Sequence, residues 1–290
     1  MKFEKSELIL NPDGSIYHLN LLPEDISETI ITVGDPERVS DVSRYFDHVE
    51  VKKEKREFHT HTGTLNGKRL TVISTGIGTD NVDIVLNELD ALANIDFVSR
   101  KPKENRIRFE IIRIGTSGAL QPEIPIDSFL LSEYGIGFDG LLYFYKSESI
   151  RHLEISENLR LHLGWEDVPM RPYVVKYDQD LADKISENRI RLGATVTNSG
   201  FYGPQGRRLR LEPKDDDFLS KLTAFNFKNL RITNLEMETA GIYGLAQLLG
   251  HRAISLNCIL ANRATGKFSK NAQNAVDKLI RFTLEGLTSS

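Results

Sequence analysis

The sequence predicts a single-domain, three-layer α/β/α fold with a mixed or mostly parallel central sheet. Short β-branched runs alternate along the chain with stretches that have helical spacing, which is the pattern of an α/β fold. Several of these runs are apolar at consecutive positions, as expected for strands covered on both faces. No linker long enough to separate two cores divides the 290 residues. We therefore expect one domain over 16–290, preceded by an N-terminal arm over 1–15.

The predicted elements follow in order along the chain. Six runs predict strands: 29–34, 69–75, 110–115, 128–134, 194–199 and 253–260. Helical spacing predicts three long helices: 81–94, 237–249 and 270–287. In the first helix Val82, Val85 and Leu89 recur at i, i+3 and i+7. The second helix ends at Gly250, a residue type favoured just after a helix.

Composition and charge exclude several classes of protein. The 37 Lys and Arg residues are balanced by 41 Asp and Glu residues, and this net charge of −4 argues against a nucleic-acid partner. The single cysteine, Cys258, excludes an intramolecular disulfide framework. No apolar run approaches the ~18 residues of a membrane span, and the N-terminus is too charged for a signal peptide. We expect a soluble, cytoplasmic protein without a membrane partner.

Three predicted strands end in glycine-containing turns that carry arginine or small hydroxyl residues. These turns cover 33–38, 74–79 and 113–118. Ligands of open α/β sheets gather at the carboxyl ends of strands, and free backbone amides there receive anions. Three such turns indicate a small-molecule site, although any one of them also fits plain strand-to-helix geometry. None of the three matches a P-loop or a dinucleotide-binding GxGxxG motif.

Two further clusters add polar and aromatic groups. The segment 201–207 sets Phe201 and Tyr202 beside Gln205 and Arg207, so a flat heterocycle could stack on an aromatic ring while the polar groups bind its edge. A basic surface turn is the other interpretation. The segment 234–238 places two carboxylates around a methionine where a helix begins, a common position for acidic residues.

Together these motifs resemble the nucleoside phosphorylase-I family, and within it the uridine phosphorylases most closely. Five segments carry the resemblance in the family's order: 34–38, 56–58, 74–78, 113–119 and 236–238. The resemblance covers about 16–285. It implies a central mixed, partly barrel-like sheet and reversible phosphorolysis of uridine to uracil and α-ribose 1-phosphate in pyrimidine salvage. Inorganic phosphate would be the co-substrate, with no cofactor.

The resemblance also implies roles for individual residues. It assigns phosphate binding to Gly34, Arg38, Arg56, Arg113 and Thr116. It assigns ribose binding to His18, Thr116, Glu236, Met237 and Glu238. It assigns base binding to Phe201, Gln205 and Arg207. The expected catalytic groups are Arg38, Arg113 and Arg207, and the resemblance places a monovalent cation near Glu57 and Ser74 in some relatives, with no other metal.

The resemblance implies a homo-oligomer, with a hexamer as the family precedent, because His18 and Arg56 match residues that a neighbouring subunit lends to the site. Guanidinium groups pair with phosphate, so the three phosphate-site arginines favour phosphorolysis over hydrolysis. Purine-directed relatives carry an aspartate where this chain has Asn262, and an amide cannot act as a general acid. A purine nucleoside phosphorylase, a nucleosidase and a non-catalytic nucleoside-binding protein remain as alternatives.

Overall fold

A mixed sheet forms the centre of the computed structural model, which describes residues 2–186 and 190–288. The strands are β1 (Thr29–Val33), β2 (His48–Lys55), β3 (Phe58–Leu65), β4 (Lys68–Ser74), β5 (Ile95–Asp96), β6 (Lys101–Pro102), β7 (Glu110–Ala119), β8 (Phe129–Gly137), β9 (Tyr173–Lys176), β10 (Arg191–Thr197), β11 (Asn226–Phe227), β12 (Leu230–Glu236), β13 (Arg252–Asn262) and β14 (Lys267–Phe268). Strands β5 and β6 pair separately, and the others belong to the main sheet. Its path runs β11-β12-β10-β8-β13-β7-β1-β4-β3-β2.

Five of these strands close into a barrel. The order is β7, β13, β8, β10 and β12, and β12 returns to pair antiparallel with β7. Strand β13 is parallel to β7 and antiparallel to β8, whereas β10 is parallel to both β8 and β12. Strands β1 and β4 extend the sheet from β7 in parallel, and β3 and β2 continue it as an antiparallel hairpin. The predicted mixed, partly barrel-like sheet is confirmed.

Seven α-helices lie in the described part of the chain. They are α1 (Pro36–Ser43), α2 (Thr79–Asn94), α3 (Leu153–His162), α4 (Gln179–Ser186), α5 (Phe218–Ala224), α6 (Thr239–Leu249) and α7 (Ala272–Thr288). The apolar face predicted for α2 is buried, and α6 ends at Gly250 in the left-handed conformation, with a φ of 86°. In α6, Gly241 leaves room for the methyl group of Thr79. None of these helices has the length and apolar character needed to cross a membrane.

The predicted turn at 113–118 is wrong, because β7 continues through this segment to Ala119. Its ladder with β13 extends from Glu110 to Ala119, with one irregularity beside Ile259. Glycines there indicated a turn, but neither Gly115 nor Gly118 has a positive φ. The strand passes through the site instead of ending before it.

The first residues of the chain contact a loop of the same chain. The backbone N–H of Phe3 donates to the carbonyl oxygen of Arg100 at 2.8 Å, and Arg100 Nε donates to the carbonyl oxygen of Phe3 at 3.0 Å. Leu8 is buried. The division of the chain at residue 15 into an arm and a domain stays a prediction.

Candidate active site

The two predicted glycine turns that follow β1 and β4 lie side by side. Val33 pairs with Ser74 in parallel register, and the N–H of Thr75 donates to the carbonyl oxygen of Val33 at 2.8 Å. A Cβ atom at Gly34 would stand 3.5 Å from the carbonyl oxygen of Gly76. Since β7 flanks β1 on its other side, the three predicted motifs meet on neighbouring parallel strands. The sheet order therefore brings the predicted phosphate residues of these motifs, which exclude Arg56, to one end of the parallel strands.

Arg113 is buried in the middle of the site. Its Nη2 donates to Glu238 Oε2 at 2.6 Å and lies 3.1 Å from Glu236 Oε2. Its Nη1 donates to Asn257 Oδ1 at 3.2 Å and to Ser255 Oγ at 3.4 Å. Burial opposes the charge of Arg113, but the two carboxylates outweigh it and raise the pKa of the guanidinium. Arg113 therefore remains a cation although it is buried.

Gly115 provides the space into which the Arg113 guanidinium folds. A Cβ atom at Gly115 would lie 1.9 Å from Arg113 Nη1 and 2.3 Å from its central carbon. Any side chain at this position would displace a charged group that is 4% exposed. The glycine in the sequence motif therefore serves the placement of the arginine two residues before it.

The two carboxylates at the start of α6 have different partners. Glu236 Oε2 accepts from the backbone N–H groups of Glu238 and Thr239 at 2.8 and 2.9 Å, so it caps the helix. Its other oxygen accepts from Thr197 Oγ1 at 2.6 Å. Glu238 Oε1 instead accepts from the N–H of Gly78 at 2.8 Å. Burial raises the pKa of Glu238, and the nearby Glu236 adds to this effect against the pull of Arg113.

The second cation of the site is Arg38, which is half-buried on the first turn of α1. Among the described residues, its guanidinium donates one hydrogen bond, from Nη1 to the carbonyl oxygen of Ile114 at 3.5 Å. Burial lowers the pKa of Arg38, and the charge of Arg113 lowers it further. Thr116 is half-buried on β7, paired with Cys258 of β13. Two guanidinium groups beside Gly34 and Thr116 make a site suited to an oxyanion.

Cys258 is fully buried beside these cations. Burial raises the pKa of its thiol to about 12. A thiol that stays protonated is a poor nucleophile. The expectation of a buried, structural cysteine is confirmed as far as burial goes.

The predicted base-binding residues form one cluster after β10. The central guanidinium carbon of Arg207 lies 3.7 Å from the centroid of the Phe201 ring, and Arg207 Nη1 donates to Gln205 Oε1 at 2.6 Å. The Phe201 side chain is half exposed, whereas Gln205 is buried. Burial lowers the pKa of Arg207 to about 10, and the charge of Arg263 contributes. Arg207 remains a cation at neutral pH.

Arg263 joins this cluster to the barrel. Its Nη1 donates to the carbonyl oxygen of Gln205 at 3.1 Å, and a Cβ atom at Gly118 would lie 3.6 Å from Arg263 Cγ. The end of β10 is tied to the ribose segment as well, because the N–H of Asn198 donates to the carbonyl oxygen of Glu236 at 2.9 Å. The base cluster is therefore linked, through Arg263 and Asn198, to the strands that hold Arg113 and Glu236.

Both polar atoms of the Asn262 side-chain amide form hydrogen bonds with backbone groups. Nδ2 donates to the carbonyl oxygens of Gln121 and Ile124 at 3.0 and 2.9 Å, while Oδ1 accepts from the N–H groups of Ala264 and Thr265 at 3.0 Å. The side chain is 3% exposed. Asn262 orders the loop after β13 and has no proton to give to a leaving group.

His18 lies away from the site of its own chain. Its Nδ1 is 2.6 Å from Glu88 Oε1, and Glu88 also accepts from the backbone N–H groups of His18 and Leu19. Glu88 is ten residues along α2 from Gly78, which at 1.5 Å per residue separates them by about 15 Å. The fold does not bring His18 to Glu238.

Arg56 is exposed at the tip of the β2–β3 hairpin, with a left-handed φ of 56°. Its neighbour Lys55 lies over the Tyr17 ring at 4.7 Å, so Arg56 and His18 share one side of the molecule. Among the described residues, Arg56 has no hydrogen-bond or ion-pair partner. The structure thus assembles Arg38, Arg113 and both glutamates, but leaves Arg56 and His18 outside this group.

The expected cation residues lie close together behind the hairpin tip. Ser74 Oγ is buried, donates to the carbonyl oxygen of Glu57 at 2.5 Å and accepts from the N–H of His59 at 2.8 Å. A Cβ atom at Gly76 would lie 2.9 Å from Glu57 Cγ. Within the described residues, no group of three or more His, Cys, Asp or Glu side chains is placed to hold a metal ion. The cation near Glu57 and Ser74 stays a prediction.

Sequence reasoning missed several residues that complete the site. They are Gly78, Thr197, Ser255, Asn257 and Arg263. Met237, which was predicted, is half-buried between the two glutamates. Gly78 lies within a recognised motif and Arg263 follows Asn262, so the sequence marked the segments of both residues as parts of the site without indicating these two side chains or their contacts. Thr197 and Asn257 lie inside apolar runs. Only closure of the barrel brings their side chains to Glu236 and Arg113, so sequence alone could not single them out.

Comparisons with known proteins agree with this architecture. A family described as the phosphorylase superfamily matches residues 28–288. A uridine phosphorylase of Thermococcus kodakarensis is 29% identical over 272 residues, which is 93% of this chain and 85% of the relative. A DeoD-type purine nucleoside phosphorylase of Buchnera aphidicola is 25% identical, over 93% of this chain and 98% of the relative.

A solved structure gives the same result for the fold. A Trypanosoma brucei nucleoside phosphorylase, whose title states that it shows uridine phosphorylase activity, superimposes with a TM-score of 0.87 and 28% identity. The match covers 98% of this chain and 100% of that structure. The family match spans nearly the whole chain, including every strand of the barrel and both glutamates. The chain is therefore a member of the phosphorylase superfamily.

Proposed function

We propose that this protein is a uridine phosphorylase, which converts uridine and inorganic phosphate to uracil and α-ribose 1-phosphate. The observation that carries the proposal is the contact of Arg207 with Gln205 and Phe201, in a segment that follows β10 just after Asn198 bonds to the backbone of Glu236. An aromatic face, an amide and a guanidinium suit a uracil ring, whose edge offers both carbonyl oxygens and an N–H. The relatives named uridine phosphorylase support the same substrate.

Phosphate would bind beside Gly34, between Arg38, Arg113 and Thr116. The dianion would pair with the Arg38 guanidinium, which forms no direct ion pair with a carboxylate among the described residues and whose pKa is lowered by burial despite the charge of Asp35. Backbone N–H groups at the start of α1 favour an anion as well. A hydrolytic nucleosidase has no use for this pair of cations, so the pair supports phosphate over water as the nucleophile.

In the proposed reaction, a phosphate oxygen attacks C1′ from the face opposite the base. The C1′–O bond forms, the C1′–N1 bond breaks, and its electron pair moves into the uracil ring. The proton of hydrogen phosphate ends on uracil N1, so charge and atoms balance. Glu238 would accept hydrogen bonds from the ribose 2′- and 3′-hydroxyls. Phosphate charge next to C1′ stabilises the oxocarbenium-like ribosyl centre, and no cofactor is needed.

The departing base would be stabilised by Arg207. Its guanidinium would hold uracil O4 as negative charge moves into the ring, while Gln205 pairs with N3–H and O2. Such contacts strengthen in the transition state and therefore raise kcat. The full use of the Asn262 amide by backbone groups weighs against the purine alternative, since protonation of a purine requires an acid at this position.

The proposed enzyme is a homo-oligomer, with a hexamer as the expected assembly. Arg56 and His18 lie on one side of the chain but away from its own Glu238, so a partner subunit would receive them. Mixing impaired Arg56→Ala subunits with impaired Glu238→Gln subunits should raise the activity above that of either variant alone, because one shared site would then be intact. We further propose that the enzyme acts in pyrimidine salvage in the cytoplasm.

Phosphate-dependent cleavage of uridine tests the proposal, with inosine and thymidine assayed in parallel. Uracil release that requires phosphate and yields ribose 1-phosphate is the expected result. Phosphate-independent release would indicate a nucleosidase, and faster cleavage of inosine would indicate a purine nucleoside phosphorylase. Nucleoside binding without turnover would indicate a binding protein.

A further inference from the structure

The interior of the barrel contains a continuous run of polar side chains. The interior of a small closed barrel is filled by side chains. Here each of the five strands contributes at least one amide, hydroxyl or charged group, and all of them are buried. We define the polar chain as Arg113, Asn257, Ser132, Thr195, Asn234 and Ser117. It begins at the catalytic arginine and passes around the inside of the barrel.

Each member of the polar chain is hydrogen bonded to the next. Asn257 Nδ2 donates to Ser132 Oγ at 3.0 Å, and Ser132 Oγ is 2.6 Å from Thr195 Oγ1. Thr195 Oγ1 donates to Asn234 Oδ1 at 2.8 Å, and Asn234 Nδ2 donates to Ser117 Oγ at 2.9 Å. With the 3.2 Å bond from Arg113 to Asn257, five hydrogen bonds join six side chains.

The chemistry of the groups fixes the direction of every bond. A guanidinium only donates, so Asn257 must present Oδ1 to Arg113 and its NH₂ to Ser132. Asn234 Oδ1 only accepts, so the Thr195 hydroxyl donates to Asn234. Thr195 Oγ1 therefore accepts the hydrogen bond that the Ser132 hydroxyl donates. Ser132 then has its lone pairs free for Asn257. All donors therefore point the same way, and reversing one hydroxyl would set donor against donor at the next bond.

From this arrangement we infer that the polar chain positions Arg113 for phosphate by fixing the orientation of the Asn257 amide. The inference rests on the proposed function, in which Arg113 binds phosphate. Glu236 and Glu238 attract the Nη2 side of the guanidinium, and Asn257 holds the Nη1 side. With the amide reversed, its NH₂ would face Arg113 and repel it toward the glutamates. Phosphate would then compete against a tighter ion pair.

Thr195 allows a test of this inference, because it touches neither Arg113 nor any proposed substrate residue. In Thr195→Val the Ser132 hydroxyl loses its acceptor and can donate to Asn257 instead, which favours the reversed amide. We expect the Kd for inorganic phosphate, measured by calorimetry without nucleoside, to rise about 5- to 10-fold, or roughly 1 to 1.4 kcal/mol. In the uridine assay the KM for phosphate should rise by a similar factor, with little change in the KM for uridine. Thr195→Ser keeps the hydroxyl and should restore both values.

Thr62→Val is the matched control. Thr62 is equally buried, bonds another hydroxyl at 2.8 Å (Thr71 Oγ1), and lies on β3 outside the barrel. It should leave phosphate affinity within about twofold. If Thr195→Val does not fold, Ser132→Ala removes the acceptor of the Asn257 NH₂, so the amide is no longer held in one orientation and phosphate binding should again weaken.

The result separates this inference from the proposed function. Equal phosphate affinity in the Thr195→Val, Thr62→Val and unmodified proteins would overturn the positioning role, whether or not uridine is cleaved. Weaker phosphate binding in Thr195→Val alone would support it, even if uridine proved not to be the substrate.

Discussion

The carboxylate of Glu238 meets the guanidinium of Arg113 at 2.6 Å, although 125 residues separate them in the chain. In the proposed reaction these two groups serve different substrates, since Arg113 binds phosphate and Glu238 binds ribose. Their ion pair therefore links the two halves of the site. Burial keeps both groups out of water, which strengthens their attraction; burial raises the pKa of Glu238, whereas the two carboxylates raise the pKa of Arg113 against the effect of its burial. A substitution in this ion pair, or a change of its protonation with pH, should therefore alter the activity.

Glu238→Gln should lower kcat/KM for uridine by about 10² at neutral pH, because an uncharged amide binds ribose hydroxyls more weakly than a carboxylate. The raised pKa of Glu238 adds a pH signature. As the pH falls toward and through that pKa, the carboxylate becomes protonated and resembles glutamine. The ratio of kcat/KM between the unmodified protein and the variant should therefore shrink, beginning above the ordinary glutamate value of about 4.3.

Taking the ratio of the two enzymes removes the titration of phosphate itself, which affects both equally. The pH-rate profiles should be measured at saturating phosphate. A ratio that stays constant down to the pH at which either protein unfolds would contradict the assignment of Glu238.

Arg207→Ala should lower kcat/KM for uridine by about 10²–10³, the usual effect of removing one charged donor that faces a leaving group. The fold should remain intact, because Arg207 makes its contacts within a surface loop. Arg208→Ala is the control: the adjacent arginine pairs with the exposed Glu212 and should be dispensable. Unchanged turnover in Arg207→Ala would remove this segment from the base site.

Gly115→Ala should abolish most activity without unfolding the protein. The added methyl group would overlap Arg113 Nη1, so the guanidinium must move away from its partners. We expect kcat/KM to fall at least 100-fold, since small displacements of a positioning group have effects of this order. Gly118→Ala is the control on the same strand, where the nearest atom is 3.6 Å away. Equal activity in the two variants would show that Gly115 does not serve Arg113.

Asn262→Asp should destabilise the protein without creating a purine nucleoside phosphorylase. A carboxylate would lose both donated hydrogen bonds and face the carbonyl oxygens of Gln121 and Ile124. We expect a loss of roughly 2 kcal/mol in the free energy of unfolding, measured with denaturant. Inosine cleavage should not appear. Its appearance would mean that this side chain turns toward the substrate.

Much of the fold could be predicted because its signals are local. The periodicity of α2 and the β-branched runs of β1, β4 and β13 follow from the alternation of buried and exposed positions. Strand β12 escaped prediction because its middle is polar: Asn234 bonds to Ser117 inside the barrel, and Thr233 bonds to a backbone carbonyl of β10. Polar residues that face a closed interior remove the apolar signature of a strand.

The candidate site, like the fold, could be predicted only in part. The motifs around Arg38, Arg113 and Glu238 were recognisable as residues, and so was the segment that holds Gln205 and Arg207. Their partners were not, because a hydrogen bond between β7 and β13 depends on register and not on sequence spacing. The strand that continues through Gly115 is the clearest example, since the same glycine fits a turn equally well.

By itself, the sequence determined the strand and helix periods, the residue types of an anion and nucleoside site, and the family that shares them. Only the tertiary structure decided that five strands close into a barrel, that Arg113 is held between Glu238 and Asn257, and that Asn262 binds backbone instead of facing the pocket. The physical reason is the range of the interactions. Periodicity reflects burial of neighbouring residues, whereas the direction of a buried polar side chain is set by partners that closure of the sheet brings from distant parts of the chain.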